Sequence, residues 1–210
     1  MTEVSHPIFA RFFDRFSQTM EREAGRYRDE MLAGLTGRVL EIGAGNGLNF
    51  GHYPATVDEV VALEPEPYLR ERAEAAARDV AVTVTVRDGV AHPLPVQDDG
   101  FDAAVTSLVL CTVPDPAYAI AELRRVLRPG GEVRFFEHVR SSRARKARLQ
   151  DALDDSGIWP LLIGGCHSAR DTLAAFERAG FTIAHARRVE VGPVANPANP
   201  HVVGAAVAPA

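Results

Sequence analysis

A glycine-rich segment near the start of the chain is the first place where residue types and spacing suggest ligand chemistry. Residues 39–47 read Val-Leu-Glu-Ile-Gly-Ala-Gly-Asn-Gly, an apolar run that closes on three glycines. Glycine has no Cβ atom, so the backbone can turn tightly there and approach a ligand closely. A helix that begins at this point offers free N–H groups to an anionic group such as a carboxylate. The Gly-x-Gly-x-Gly spacing by itself also suits a nicotinamide or flavin cofactor, or a turn without a ligand.

Two acidic residues follow at the ends of the next two predicted strands. Glu64 ends the strand predicted over 57–63, where a carboxylate can accept hydrogen bonds from both hydroxyls of a ribose. Asp88 follows the strand predicted over 80–86 and can accept a hydrogen bond from an adenine amino group, although taken alone it also suits a turn. Because parallel strands end at one edge of a sheet, the three strand ends together indicate a site for a nucleoside.

Strands and helices alternate along most of the chain, and this order predicts the architecture that positions those residues. Strands are predicted over 38–42, 57–63, 80–86, 101–110 and 132–138, and helices over 67–79, 114–128, 145–154 and 169–179, the last with Ser168 as its N-cap. The alternation predicts a mostly parallel sheet with helices on both faces. Strands 181–189 and 201–207 follow one another without a helix, which predicts an antiparallel pair at one edge of a seven-stranded sheet. Residues 6–35 predict one or two amphipathic helices.

Composition narrows the functional classes. The 210 residues are 46% hydrophobic and 24% charged, which favours one folded domain over 1–210 and argues against disorder. A net charge of -5 argues against nucleic-acid binding, and the basic stretch 140–148 is interpreted as a solvated face. The sequence shows no disulfide framework and no metal-ligand spacing of Cys and His, so we expect no bound metal. It also shows no apolar run long enough for a signal peptide or a membrane span, so we expect a cytoplasmic protein.

Five stretches of the chain resemble class I S-adenosylmethionine-dependent methyltransferases. They are residues 39–47, 62–65, 87–95, 101–110 and 127–131. The run Val-Leu-Arg-Pro-Gly-Gly at 126–131 is typical of the turn before the fifth strand in that family and disfavours an NAD-dependent dehydrogenase. The resemblance implies an α/β, Rossmann-like fold and S-adenosylmethionine as the cofactor.

The chain is more closely similar to the methyltransferase-like subgroup that includes animal alkyl thiol methyltransferases. The residues that carry this similarity are 41–50, 53–54, 108–113, 137–139, 165–166 and 200–204. Two departures stand out. The animal members begin with a hydrophobic membrane anchor that this sequence does not show, and Gly164 stands where the subgroup has an acid.

The resemblance implies a set of cofactor contacts at the strand ends. The residues assigned to the methionine part are Glu41, Gly43, Ala44, Gly45, Gly47, Asn49, Ser107 and Leu108; those assigned to the ribose and adenine are Glu64, Pro65, Asp88 and Gly89. Residues 43–47 pass beneath the methionine, Glu41 and Asn49 order its amino and carboxylate groups, and Glu64 binds the ribose.

On the acceptor side the resemblance implies a small molecule, with a thiol favoured and an amine or phenol as the alternatives. Direct in-line transfer of an activated methyl group needs mainly positioning, and a thiol with a pKa of about 8.5 is already a few per cent thiolate near neutrality. His138 is the candidate base, with a purely structural histidine as the alternative. Tyr27, Cys111 and His167 are candidate substrate contacts, although packing roles suit them as well.

Two segments are predicted to shape the acceptor side, a helical lid over residues 1–36 and a substrate-side segment over 140–168. The alternatives to a methyltransferase are an NAD-dependent oxidoreductase and a non-catalytic module that binds the cofactor.

Overall fold

The computed structural model describes residues 7–209, so His6, the predicted start of the first helix, lies outside the described residues. The helices are α1 Pro7–Leu32, α2 Pro67–Ala77, α3 Pro116–Val126, α4 Ala144–Asp155, α5 Ile158–Leu162 and α6 Thr172–Arg178. The strands are β1 Gly37–Ile42, β2 Val57–Leu63, β3 Val84–Arg87, β4 Phe101–Ser107, β5 Leu127–His138, β6 Thr182–Glu190 and β7 Pro200–Val207, and a short 3-10 turn spans Phe50–His52. Within the described residues, no helix is both long enough and apolar enough to cross a membrane.

The seven strands form one sheet in the order β3-β2-β1-β4-β5-β7-β6. Strands β1 to β5 pair in parallel, whereas β7 runs antiparallel to both β5 and β6. This arrangement confirms the predicted α/β fold with an antiparallel C-terminal pair. The strand order reverses between β1 and β4, and a ligand crevice forms at the carboxyl ends of such strands.

Apolar residues of β1 face both sides of the sheet, which explains why helices cover it on each face. Leu40 and Ile42 belong to a buried cluster that includes Ile120 of α3 and Phe176 of α6. Val39 lies in the opposite cluster with side chains of α1. Strands buried on both faces are typical of parallel sheets covered by helices.

The predicted N-cap Ser168 is wrong, because Asp171 occupies that position. The Asp171 carboxylate accepts a hydrogen bond from the Ala174 N–H at 3.2 Å, and α6 begins at Thr172. The N–H groups of Ser168 and Ala169 instead donate to the Asp154 carboxylate at 3.2 and 2.8 Å. These two contacts keep the residues before Asp171 out of the helix.

Three strand boundaries also differ from the predicted ones by several residues, and the first is the start of β3 at Val84 rather than at residue 80. Strand β4 ends at Ser107 because Leu108 takes a φ of 61°, which takes the backbone out of the extended conformation. Strand β5 starts at Leu127, upstream of the Pro-Gly-Gly turn, because Leu127 already pairs with Phe101. An irregularity between Phe101 and Ala103 accommodates the extra residues of the turn.

Candidate active site

The glycine turn after β1 has a backbone conformation that residues with side chains rarely adopt. Gly43, Gly45 and Gly47 have φ values of 64°, 59° and 82°. A Cβ atom on Gly43 would lie 2.6 Å from a Val109 methyl group, so glycine is required there by packing as well as by conformation. Gly45 has more space, because among the described side chains the Phe13 ring is nearest to its Cβ position, at 3.4 Å. The turn therefore presents bare backbone beneath α1.

Glu64 joins the end of β2 to this turn. Its side chain is 5% exposed, and it accepts hydrogen bonds from the N–H of Gly45 at 2.7 Å and of Glu66 at 2.9 Å. Burial raises the pKa of Glu64, while the two backbone N–H groups act in the opposite direction. A carboxylate offers about four lone pairs, so two acceptor positions remain for further donors such as ribose hydroxyls.

Arg70 of α2 links the ends of β2 and β3 through hydrogen bonds. Its guanidinium donates to the carbonyl oxygens of Glu64 and Pro65 at 2.8 and 3.0 Å and to the Asp88 carboxylate at 3.1 Å. The Asp88 side chain is 65% exposed, and the carboxylate is therefore open to a ligand on its other side. The neighbouring Gly89 has a Cβ position only 3.1 Å from Leu63 and from Pro95. The structure thus brings together the four residues that the sequence assigns to the ribose and adenine.

A buried polar network lies at the end of β1, where the sequence places the methionine part of the cofactor. Glu41 is 1% exposed and accepts hydrogen bonds from Asn49 Nδ2 and from the Tyr53 hydroxyl, both at 2.7 Å. Burial raises the pKa of Glu41 to about 7, although the bonds from Tyr53 and Asn49 oppose the shift. Glu41 is therefore a buried acid whose charge changes near neutrality.

Arg28 of α1 completes this network and was not predicted from the sequence. Its guanidinium donates to Asn49 Oδ1 at 2.5 Å, to Ser107 Oγ at 3.0 Å and to Glu21 at 3.0 Å, and the residue is 6% exposed. A buried cation therefore lies between side chains from the ends of β1 and β4. No sequence signal marks Arg28, because α1 carries several arginines at helical spacing.

Helix α1 lies across the glycine turn. Asp14 is 4% exposed and accepts hydrogen bonds from Asn46 Nδ2 at 2.8 Å and from the Tyr68 hydroxyl at 3.0 Å. Ser17 also accepts from Asn46, at 3.1 Å. These contacts fix the helix over the crevice, in the place where a lid would lie; the lid role itself stays a prediction.

Another buried acid, Glu137, shapes the turn after β4. Its carboxylate is fully buried and accepts N–H bonds from Val109 at 3.1 Å, Leu110 at 3.0 Å and Cys111 at 3.3 Å. The Leu108 N–H donates to the Phe136 carbonyl at 2.8 Å. A positive φ at a non-glycine residue is costly and persists where its surroundings enforce it. Glu137, which the sequence marks only as part of the similar stretch 137–139, holds Leu108 in this conformation beside the methionine network.

His138 ends β5 and contacts both cysteines. Its Nδ1 lies 3.4 Å from Cys111 Sγ and 3.3 Å from Cys166 Sγ, and its ring centroid lies 4.4 Å from that of His201. Only the Nε2 atom of His138 remains for a proton-transfer role. Three distant segments of the chain bring these side chains together, although no Cys and His spacing in the sequence indicates a metal site. The expectation of no bound metal stays a prediction.

The other two predicted acceptor residues lie beside this cluster rather than in it. The His167 N–H donates to the Cys111 carbonyl at 2.7 Å, and its ring faces Asp154 at 3.9 Å. Tyr27 is 6% exposed and stacks on Phe136 with a centroid distance of 5.8 Å. The geometry therefore favours a packing role for Tyr27, and leaves His167 with a side chain 37% exposed at the edge of the site.

Comparison with known proteins identifies the family. A family model described as a methyltransferase domain matches residues 40–135. Human thiol S-methyltransferase TMT1A is 30% identical over 211 residues, covering 95% of this chain and 85% of that protein. Human thiol S-methyltransferase TMT1B is 32% identical over 181 residues, covering 84% and 73%. An S-adenosylmethionine dependent methyltransferase from Mesorhizobium loti superposes with a TM-score of 0.63 at 22% identity, covering 88% of this chain and 97% of that one.

The similarity to both human proteins extends over most of each chain, and the family model covers the strands whose ends form the crevice. The protein therefore belongs to the S-adenosylmethionine-dependent methyltransferases, and S-adenosylmethionine is its cofactor.

Proposed function

We propose that this enzyme transfers the methyl group of S-adenosylmethionine to the sulfur of a small-molecule thiol. A thiol acceptor is supported by one observation, the similarity over most of the chain to two human proteins named thiol S-methyltransferases. An amine or phenol acceptor is the alternative within the same enzyme class. The cofactor supplies a methyl group already activated on a sulfonium sulfur, so the protein has to bind, align and exclude water.

The residues at the strand ends fit the cofactor in charge and hydrogen bonding. Arg28 offers a buried positive charge to the methionine carboxylate. At a pH above the Glu41 pKa of about 7, Glu41 offers a negative charge to the ammonium group. Glu64 retains acceptor positions for the ribose hydroxyls, and the exposed carboxylate of Asp88 accepts from the adenine amino group. Each pairing matches a donor with an acceptor.

The acceptor side needs little acid–base chemistry. A thiol is deprotonated far more easily than a phenol, whose pKa is about 10. In this proposal the Nε2 atom of His138 receives or shares the thiol proton, because Nδ1 already faces two sulfur atoms. Holding two reactants in line can by itself contribute about 7–11 kcal/mol to lowering the barrier.

A turnover assay with matched acceptors tests this proposal. Binding of S-adenosylmethionine is first measured by calorimetry, and methyl transfer is then followed for an aryl-alkyl thiol, amine and alcohol that share one carbon skeleton. We expect transfer to the thiol at a rate well above that for the other two. Transfer to the amine or the alcohol alone would replace the thiol assignment, and binding without any transfer would favour a non-catalytic module.

Removal of the Asp88 carboxylate should weaken cofactor binding only modestly. The side chain is mostly exposed, and a single exposed hydrogen bond competes with water, so Asp88→Ala is expected to raise the dissociation constant about two- to ten-fold. Asp79, another exposed acid, lies just after α2, and Asp79→Ala serves as the control that should leave the constant unchanged. Equal constants for all three proteins would remove Asp88 from the adenine contact.

A further inference from the structure

Three side chains from separate segments converge beside the acceptor end of the site. Cys111 lies in the turn after β4, His138 ends β5, and Cys166 lies in the loop between α5 and α6. Their Sγ and Nδ1 atoms all lie within 4.8 Å of one another, and both cysteines are free thiols. The cysteines are 1% and 4% exposed, and His138 is half-buried.

The backbone on either side of the cluster is held independently of any ion. The Cys111 N–H donates to Glu137, and the Cys111 carbonyl accepts from His167 at 2.7 Å, which ties the two cysteine segments together. The Cys166 N–H donates to the Ile163 carbonyl at 3.1 Å. These bonds fix the backbone of Cys111 and Cys166, so the two cysteine side chains are positioned before a ligand arrives, as a preorganised site requires.

The separations match those in a tetrahedral zinc site. Zn–S bonds of about 2.3 Å and Zn–N bonds of about 2.0–2.1 Å place sulfur and nitrogen ligands roughly 3.5 Å apart. The two Sγ to Nδ1 distances are 3.4 and 3.3 Å. Two thiolates and one imidazole form a soft donor set that suits Zn²⁺ and disfavours Mg²⁺ or Ca²⁺.

The charges around the cluster are also compatible with a divalent cation. Two thiolates would neutralise the ion, and the guanidinium of Arg170 is engaged by the carbonyls of Leu110 and Val113 at 2.5 and 2.7 Å. Glu137 lies beneath the same turn and offsets that positive charge. Three protein ligands leave a fourth position open, as in catalytic rather than structural zinc sites.

We propose that Cys111, His138 and Cys166 bind one Zn²⁺ ion and that its open position receives the acceptor thiol as a thiolate. The second part rests on the proposed function. Each cysteine releases one proton to solvent when the ion binds, and the acceptor thiol releases its proton to solvent when it coordinates; no oxidation occurs. In the metal-bound protein the ion takes the place of the His138 base, because an imidazole bound through Nδ1 keeps a hydrogen on Nε2. The position is suitable because Leu108, at the methionine end of the cofactor site, lies only three residues before Cys111.

Metal content and cobalt spectroscopy test the first part. The reduced protein is purified, its zinc content is measured by mass spectrometry, and the metal is removed with a chelator and replaced by Co²⁺. We expect one equivalent of metal and the sulfur-to-cobalt charge-transfer and visible bands of tetrahedral coordination. Cys111→Ser, Cys166→Ser and His138→Gln should each lose these bands, whereas His185→Gln, an exposed histidine on β6, should keep them.

Two results would overturn the metal site. One is the absence of stoichiometric Zn²⁺ or Co²⁺ binding by the reduced wild-type protein, which requires no variant to fold. The other is a Cys111–Cys166 disulfide in the freshly purified protein, detected as the loss of two hydrogen masses. Circular dichroism of each variant shows whether a lost spectrum reflects a lost ligand or a lost fold.

The fourth position is tested by adding acceptors to the Co²⁺ protein without cofactor. The thiol is expected to shift the charge-transfer band, and its matched alcohol is expected to leave the band unchanged. If metal-free protein methylates the thiol at the full rate, the acceptor role of the metal is wrong while the proposed function stands. If the thiol binds cobalt but is never methylated, the metal site stands and the proposed function fails.

Discussion

Replacing Glu41 by glutamine should remove about 3 kcal/mol of pH dependence from the free energy of unfolding. The pKa of Glu41 is raised from 4.5 to about 7, with burial as the largest cause. A tenfold difference in proton affinity between the folded and unfolded states corresponds to about 1.4 kcal/mol. Because the folded state holds the Glu41 proton more tightly than the unfolded state, its contribution to stability is full below pH 4.5 and is lost as the pH rises to about 7.

Denaturant unfolding of the wild type and of Glu41→Gln across this window measures the effect. Other titrating groups contribute equally to both proteins, so the difference between the two curves isolates Glu41. We expect the variant to gain about 3 kcal/mol relative to the wild type between pH 4.5 and a pH above 7. Glu74→Gln, on the exposed face of α2, is the matched control and should run parallel to the wild type. If the stability of Glu41→Gln instead varied with pH in parallel with the wild type, the buried carboxyl group would not titrate in this window.

Glu64→Ala should weaken binding of S-adenosylmethionine by about 1–3 kcal/mol, which is roughly five- to 150-fold in the dissociation constant. The loss has two sources in the structure. The variant removes the acceptor for the ribose hydroxyls, and it leaves the Gly45 and Glu66 N–H groups without their partner. The second source loosens the glycine turn under the methionine part.

A cofactor analogue separates these two sources. Binding of adenosylhomocysteine and of its 2′,3′-dideoxy form is measured by calorimetry for the wild type and for Glu64→Ala. If Glu64 contacts the ribose, the substitution costs much less affinity for the dideoxy analogue, because the partner hydroxyls are already missing. An equal loss for both ligands would assign the whole effect to the turn and remove Glu64 from the ribose site.

The fold could be predicted from the sequence because its strongest signals are local. Buried strands that alternate with helices dictate a parallel sheet, and two strands without an intervening helix dictate the antiparallel end. The errors lie where long-range contacts decide a boundary. Ser168 has the right chemistry for an N-cap, but Asp154 binds its N–H and the helix starts at Thr172. Leu108 ends β4 early because Glu137, which lies far along the chain, holds the next turn.

For a related reason, the sequence gives more positions for the cofactor side of the candidate site than for the acceptor side. Strand ends can be recognised in a sequence, so Glu64 and Asp88 could be placed at the ends of β2 and β3 without coordinates. Arg28 could not be predicted, since it reaches Ser107 across 79 positions from a helix rich in arginine. The cysteine–histidine cluster escaped prediction because its members occupy three segments that only the folded sheet brings together.

A crystal structure with adenosylhomocysteine bound tests the central claim most directly. The account predicts the ribose against Glu64, the adenine beside Asp88, and the carboxylate and amine of the ligand among Arg28, Asn49 and Ser107. A structure in which the ligand binds elsewhere on the protein would contradict it.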